Sequence, residues 1–156
     1  MLTVALFEPE IPPNTGNIIR LAANTGAHLA LIEPLGFELT DVRLRRAGLD
    51  YRALATTTVY PDFPNFRAAV GQRRLLAFST RGTRRYDTVS YRADDVLLFG
   101  PETRGLPEAI LDALPIDHRL RIPMHRHPDA KRAPSLNLGN AVSIALYEAW
   151  RQQDFS

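Results

Sequence analysis

Short apolar runs alternate with helical patterns along nearly the whole chain, and this alternation constrains the fold more than any other feature. The runs are Leu2 to Phe7, Leu29 to Ile32, Thr57 to Tyr60, Arg74 to Phe78, Asp95 to Phe99 and Arg119 to Ile122. Helical spacing occupies about Asn17 to Thr25, closed by Gly26 as a C-cap, then Asp41 to Ala47, Phe63 to Val70, Pro107 to Ala113 and Leu138 to Arg151. In the last of these, Ala141, Ile144, Ala145, Tyr147 and Ala149 allow two packed faces. Strands separated by helices imply an α/β fold, a mostly parallel sheet flanked by helices on both sides. No repeat or linker interrupts residues 1–156, so a single domain is expected.

That length is enough to bury roughly two-thirds of the unfolded surface without covalent help. Zero cysteines exclude a disulfide framework, a thiolate zinc site and a cysteine nucleophile. No apolar run reaches the roughly 20 residues of a membrane span, and Met1 to Phe7 lacks the basic flank of a signal peptide. A cytoplasmic protein with no membrane partner is expected. The net charge of +2 is unevenly spread: residues 1–42 hold one Arg and five acids, residues 43–92 eleven Arg and three acids, and residues 93–120 two Arg and six acids. Of the 19 basic residues only Lys131 is not Arg. The guanidinium fork suits phosphate and stacks on bases, so the middle block suggests a nucleic-acid partner. An Arg-favouring genome explains the same excess.

Three loops at strand ends carry the unusual residues. In Glu8 to Arg20, Asn14 or Thr15 can cap a helix and Gly16 lets a ligand approach the backbone. Arg20, among Ile18, Ile19, Leu21 and Ala22, needs an anionic partner, either a ligand or Glu8 or Glu10 across the loop. Gly100 to Pro107 follows a strand directly, at the end where open α/β sheets bind ligands, and offers Gly100, Gly105 and Glu102. No dinucleotide or P-loop glycine motif occurs. In the third loop, Ser135, Asn137 and Asn140 crowd a helix start where one cap suffices. His125, His127 and Asp129 on a Pro-containing loop are more often solvated than metal-bound, and no metal is expected.

Glu8 to Leu21, Arg43 to Tyr51, Phe99 to Pro107 and Ser135 to Ser143, in this order, resemble the SPOUT methyltransferases. They are most similar to the small single-domain tRNA wobble-nucleotide ribose 2'-O-methyltransferases of that superfamily. The resemblance implies a SPOUT fold with a C-terminal trefoil knot over about residues 75–156, a homodimer, and S-adenosyl-L-methionine bound in the knot loops. It assigns Phe78, Gly100, Glu102, Gly105, Ile122, Ser135, Leu136 and Asn140 to the cofactor, with adenine among apolar side chains and backbone amides. It sets Asn14 and Arg20 before the acceptor ribose and Asn137 near the reaction centre. The family proposal makes the Arg20 equivalent a base; because guanidinium stays protonated, a grip on the target phosphate is the better expectation.

The basic block then becomes a surface for the tRNA anticodon stem-loop, through Arg43, Arg45 and Arg46 with Arg81, Arg84 and Arg85; stacking on Tyr51 and Tyr86 is secondary. The implied substrate is nucleotide 34, cytidine or a modified uridine, in leucine isoacceptors. The stretch His125 to Pro134 is longer and more basic than the family pattern, adding Arg126, Lys131 and Arg132 as RNA contacts. A relative acting on another tRNA position or on ribosomal RNA, and a noncatalytic RNA-binding protein, are the alternatives.

Overall fold

A computed structural model describes residues 1–40, 56–125 and 135–156. Its strands are β1 (Thr3–Phe7), β2 (His28–Ile32), β3 (Thr57–Tyr60), β4 (Leu75–Phe78), β5 (Arg84–Arg85), β6 (Val96–Phe99) and β7 (Arg119–Arg121). The helices are α1 (Pro12–Thr25), α2 (Phe63–Val70), α3 (Glu108–Asp112) and α4 (Leu138–Arg151). The strands form one sheet in the order β3-β2-β1-β6-β4-β7-β5, and every pairing is parallel. The late strand β7 thus lies between two earlier ones, β4 and β5.

Alternation along each strand sends side chains to two cores. Val4, Leu6, Leu29, Leu31, Leu76 and Leu97 meet Ile18, Ile19 and Ala22 of α1 and Val142, Ala145, Leu146 and Ala149 of α4 on one face. Ala5, Phe7, Ala30, Ile32, Ala77 and Leu98 meet Phe66 and Val70 of α2 and Leu111 of α3 on the other. Central β1 is buried at all five positions, so its unbroken apolar run is what a doubly covered strand requires. The edges are blunter: β3 is partly exposed, and β5 is only two arginines. At the amino ends of the central strands, fully buried Asp95 accepts from Arg74 Nε at 2.8 Å and Nη2 at 2.6 Å and from the Arg92 amide at 2.8 Å. These three bonds offset the desolvation of the carboxylate.

Several expectations are corrected. Helix α1 begins at Pro12, five residues before the expected Asn17, because Pro12 and Pro13 occupy its first turn, where a missing N–H costs nothing and φ is preset. Neither Asn14 nor Thr15 is its cap; Ile11 holds that position without a side-chain bond, and both polar residues are buried inside the helix. Gly26 ends it as expected, with φ 69°. Strand β5 was not anticipated, since two arginines carry no strand pattern. One face of α4 is buried, while Ile144 and Tyr147 on the other are exposed. The expected helix Asp41 to Ala47 lies outside the described residues. Among those described, no helix is long and apolar enough to cross a membrane.

Candidate active site

The carboxyl ends of β4, β6 and β7 open into a cleft of about 650 Å³, within the range of small-molecule sites. Phe78 ends β4, Phe99 ends β6, and Ile122 follows β7. The two phenylalanine rings stack at 4.7 Å between centroids with 13° between planes, giving the cleft an apolar floor. Leu136, Leu138 and Ala141 add to the apolar lining.

The segment after β6 crosses back over this floor. A Cβ on Gly100 would overlap the Leu106 amide nitrogen and sit 2.5 Å from the Gly105 carbonyl carbon, so only glycine allows the turn to close on itself. Gly105 has φ +68°, which glycine adopts without strain. Glu102 lines the cleft, but its oxygens are already engaged: Oε2 accepts from the Glu10 amide at 2.8 Å, and Oε1 accepts from the Ile11 amide at 3.1 Å and Asn14 Nδ2 at 3.2 Å. The carboxylate therefore ties the loop before α1 to the loop after β6.

This tie orients the amides. A carboxylate only accepts, so Asn14 turns its NH2 group to Glu102 and its oxygen to Asn137, whose Nδ2 donates to Asn14 Oδ1 at 2.9 Å. Asn137 caps α4 by accepting from the Asn140 amide at 3.2 Å. Residues 14, 102 and 137, distant in sequence, thus form one hydrogen-bonded row beside the cleft. Each Asn NH2 group keeps one N–H with no partner among the described residues.

Asn14, Phe78, Gly100, Glu102, Gly105, Ile122, Ser135, Leu136 and Asn137 all line the cleft. Asn140 and Arg20 do not. Asn140 is exposed, and its backbone rather than its side chain joins the row. Arg20 is exposed on α1, roughly 9 Å along the helix axis from Asn14 by helical rise. The expected pairing of Arg20 with Glu8 or Glu10 is not made. Arg104 takes both acids, at 3.0 Å and 3.3 Å, and Arg20 has no hydrogen bond or ion pair among the described residues. Thr103 and Arg104 hold the Glu10 carboxyl below its usual range, and Glu8 and Glu10 raise Arg104.

Of the expected RNA-contacting arginines, Arg84 donates to the Thr88 carbonyl at 2.6 Å and Arg85 pairs with Asp87 at 2.5 Å; together they form the edge strand β5, and neither lines the cleft. Arg43, Arg45, Arg46, Tyr51, Arg126, Lys131 and Arg132 lie outside the described residues. Tyr86 packs partly against the core. Arg81, expected only as an RNA contact, lines the cleft and donates to the Leu106 carbonyl at 2.6 Å. Glu10, Thr103 and Arg104 escaped the sequence reading as a group; the sole signal was two acids in a loop otherwise poor in charge. Among the described residues no cluster of three His, Cys, Asp or Glu could hold a metal.

An apolar floor, a glycine turn exposing backbone and uncharged amides at the rim suit a flat heteroaromatic group with a polar tail, and S-adenosylmethionine has that chemistry. A tRNA (cytidine(34)-2'-O)-methyltransferase of Escherichia coli (strain K12) is 57% identical over 152 residues, covering 97% of this chain and 94% of that protein. A solved structure described as structural insights into the 2-OH methylation of C/U34 on tRNA superposes with TM-score 0.88 at 45% identity, covering 100% and 98% of the two chains. The SpoU methyltransferase AviRb from Streptomyces viridochromogenes, in complex with AdoMet, gives TM-score 0.79 at 30% identity, covering 100% of this chain and 62% of that one. With residues 1–147 matching the SpoU rRNA Methylase family, the chain belongs to that family of S-adenosylmethionine-dependent methyltransferases.

Proposed function

We propose that the chain methylates the ribose 2'-hydroxyl of the wobble nucleotide 34 of tRNA, cytidine or a modified uridine, in leucine isoacceptors. The observation that carries this reading is the Glu102–Asn14–Asn137 row, which draws the three motif loops together beside an apolar, glycine-rimmed cleft. The names of the similar proteins support position 34.

Phe78, Ile122 and Leu136 would hold adenine, and the backbone at Gly100 and Gly105, with Ser135, would read its polar edge. When bound, the cofactor supplies a methyl group on a sulfonium. The chain's own residues align the acceptor, since a displacement of this kind needs geometry and a proton acceptor more than anion stabilisation. The spare N–H groups of Asn14 and Asn137 orient the ribose. Arg20, exposed and carrying a guanidinium fork, grips the target phosphate, and the hydroxyl proton passes to that phosphate or to water.

The same reading includes a homodimer, for which exposed Ile144 and Tyr147 on α4 supply apolar surface. It includes a trefoil knot over about residues 75–156, supported by β7 lying between β4 and β5 and by Gly82, where a Cβ would overlap the Leu120 carbonyl. Arg43, Arg45, Arg46, Arg84 and Arg85 bind the anticodon stem-loop in the cytoplasm. Labelled S-adenosylmethionine incubated with individual tRNA transcripts tests the reading: label should enter leucine tRNAs and vanish when nucleotide 34 already carries a 2'-O-methyl. The family's description names ribosomal RNA; labelling of ribosomal RNA with tRNA left unlabelled would replace the tRNA assignment.

A further inference from the structure

Glu10 bonds the loop after β6 in both directions. Its amide donates to Glu102 at 2.8 Å, while its carboxylate accepts from the Thr103 amide at 3.1 Å, from the Thr103 hydroxyl at 2.7 Å and from Arg104 Nε at 3.3 Å. The partners lie 92 to 94 residues away in sequence. Glu10 is itself held from behind. The Gly36 amide donates to the Pro9 carbonyl at 2.9 Å, and a Cβ on Gly36 would come within 2.8 Å of the Glu10 Cα. Two residues earlier, Glu8 turns the chain with φ 46° while its amide donates to the Ile32 carbonyl at 2.9 Å. Glu10 therefore stands on backbone anchored to β2 and to the segment after it, and reaches across to the turn after β6.

We infer that Glu10 is a positioning residue: through Glu102 and Thr103 it holds the Gly100–Gly105 turn in the shape that receives the cofactor. The inference rests on the reading of the cleft as the S-adenosylmethionine site. Within the clasp the Thr103 bonds matter most, because Arg104 is 60% exposed and an ion pair there is screened by water. Because Glu10 does not line the cleft, its effect reaches the cofactor through the turn.

Calorimetric titration of S-adenosylmethionine into the purified full chain tests this, with Glu10→Ala, Glu10→Gln, Thr103→Val and Glu10→Ala/Thr103→Val. Glu10→Ala should weaken cofactor binding roughly tenfold, and Thr103→Val less. Glu10→Gln should recover most of the affinity, since its amide oxygen still accepts from Thr103. The double variant should be no weaker than Glu10→Ala alone, as expected for partners in one clasp. KM for the RNA should stay constant throughout. Additive losses, a Gln variant as weak as the Ala variant, or an unchanged affinity would each overturn the inference while leaving the functional reading intact. A wild-type chain that takes up no cofactor overturns both. If Glu10→Ala melts below the assay temperature, the Gln and Val variants carry the decision.

Discussion

Glu102→Gln separates two roles for the most connected side chain at the cleft. If Glu102 ties the loop before α1 to the loop after β6, replacement harms the protein with no cofactor present. The carboxylate accepts three donors, one on Oε2 and two on Oε1. A glutamine has one accepting oxygen, so its better orientation keeps the Ile11 and Asn14 bonds and turns its NH2 group against the Glu10 amide. One hydrogen bond to a charged acceptor is lost and two donors face each other. Such a loss costs about 1.5–3 kcal/mol when buried, and the partly exposed setting lets water recover some of it, leaving about 1–2 kcal/mol. In a domain of this size that lowers Tm by roughly 2–8 °C. Thermal melting of the cofactor-free chain is the assay, paired with a cofactor titration. An unchanged melting curve together with a weakened cofactor affinity would refute the tie and make Glu102 a direct ligand.

Asp95→Ala should destabilise by about 3–5 kcal/mol, because Arg74 is left partly buried without its counter-charge; denaturant unfolding measures this, and a loss below about 1 kcal/mol contradicts it. Arg20→Lys should leave Tm unchanged, since the side chain is exposed and bonds to nothing described, yet reduce turnover strongly; retained turnover would remove the bidentate phosphate role. Glu10 is held below its ordinary value of 4.5 mainly by the Thr103 hydroxyl, so its contribution to stability is present above that value and lost as pH falls through the lower folded one. Melting curves followed downward from about pH 6 should therefore show less acid sensitivity in Glu10→Gln than in wild type. Replacing Arg43 and Arg46 by Ala should reduce the salt slope of RNA binding by about one unit each, and an unchanged slope would remove these residues from the interface.

Periodicity disclosed six of the seven strands and all four α-helices among the described residues, because doubly covered strands read as apolar runs bounded by turn residues. It failed where the local signal was ambiguous. Pro12 and Pro13 look like loop, yet a helix's first turn accepts them. Asn14 looks like a cap, yet its amide is spent on Glu102 and Asn137. Arg20 looks stranded in apolar company, yet the helix turns it outward while its neighbours Ile18 and Ile19 face the core. The motif residues around the cleft were legible because glycines and amides at strand ends are unusual, and the resemblance supplied their grouping.

By itself the sequence determined the class of sheet and the loops that carry chemistry, since these follow from hydrophobic spacing and backbone permissiveness within a few residues. Only the tertiary structure decided the strand order, the partner of each acid and the way Glu10, Glu102, Asn14 and Asn137 come together. Those contacts join residues 88 to 123 positions apart, and a hydrogen bond depends on distance and direction between atoms that no local pattern encodes.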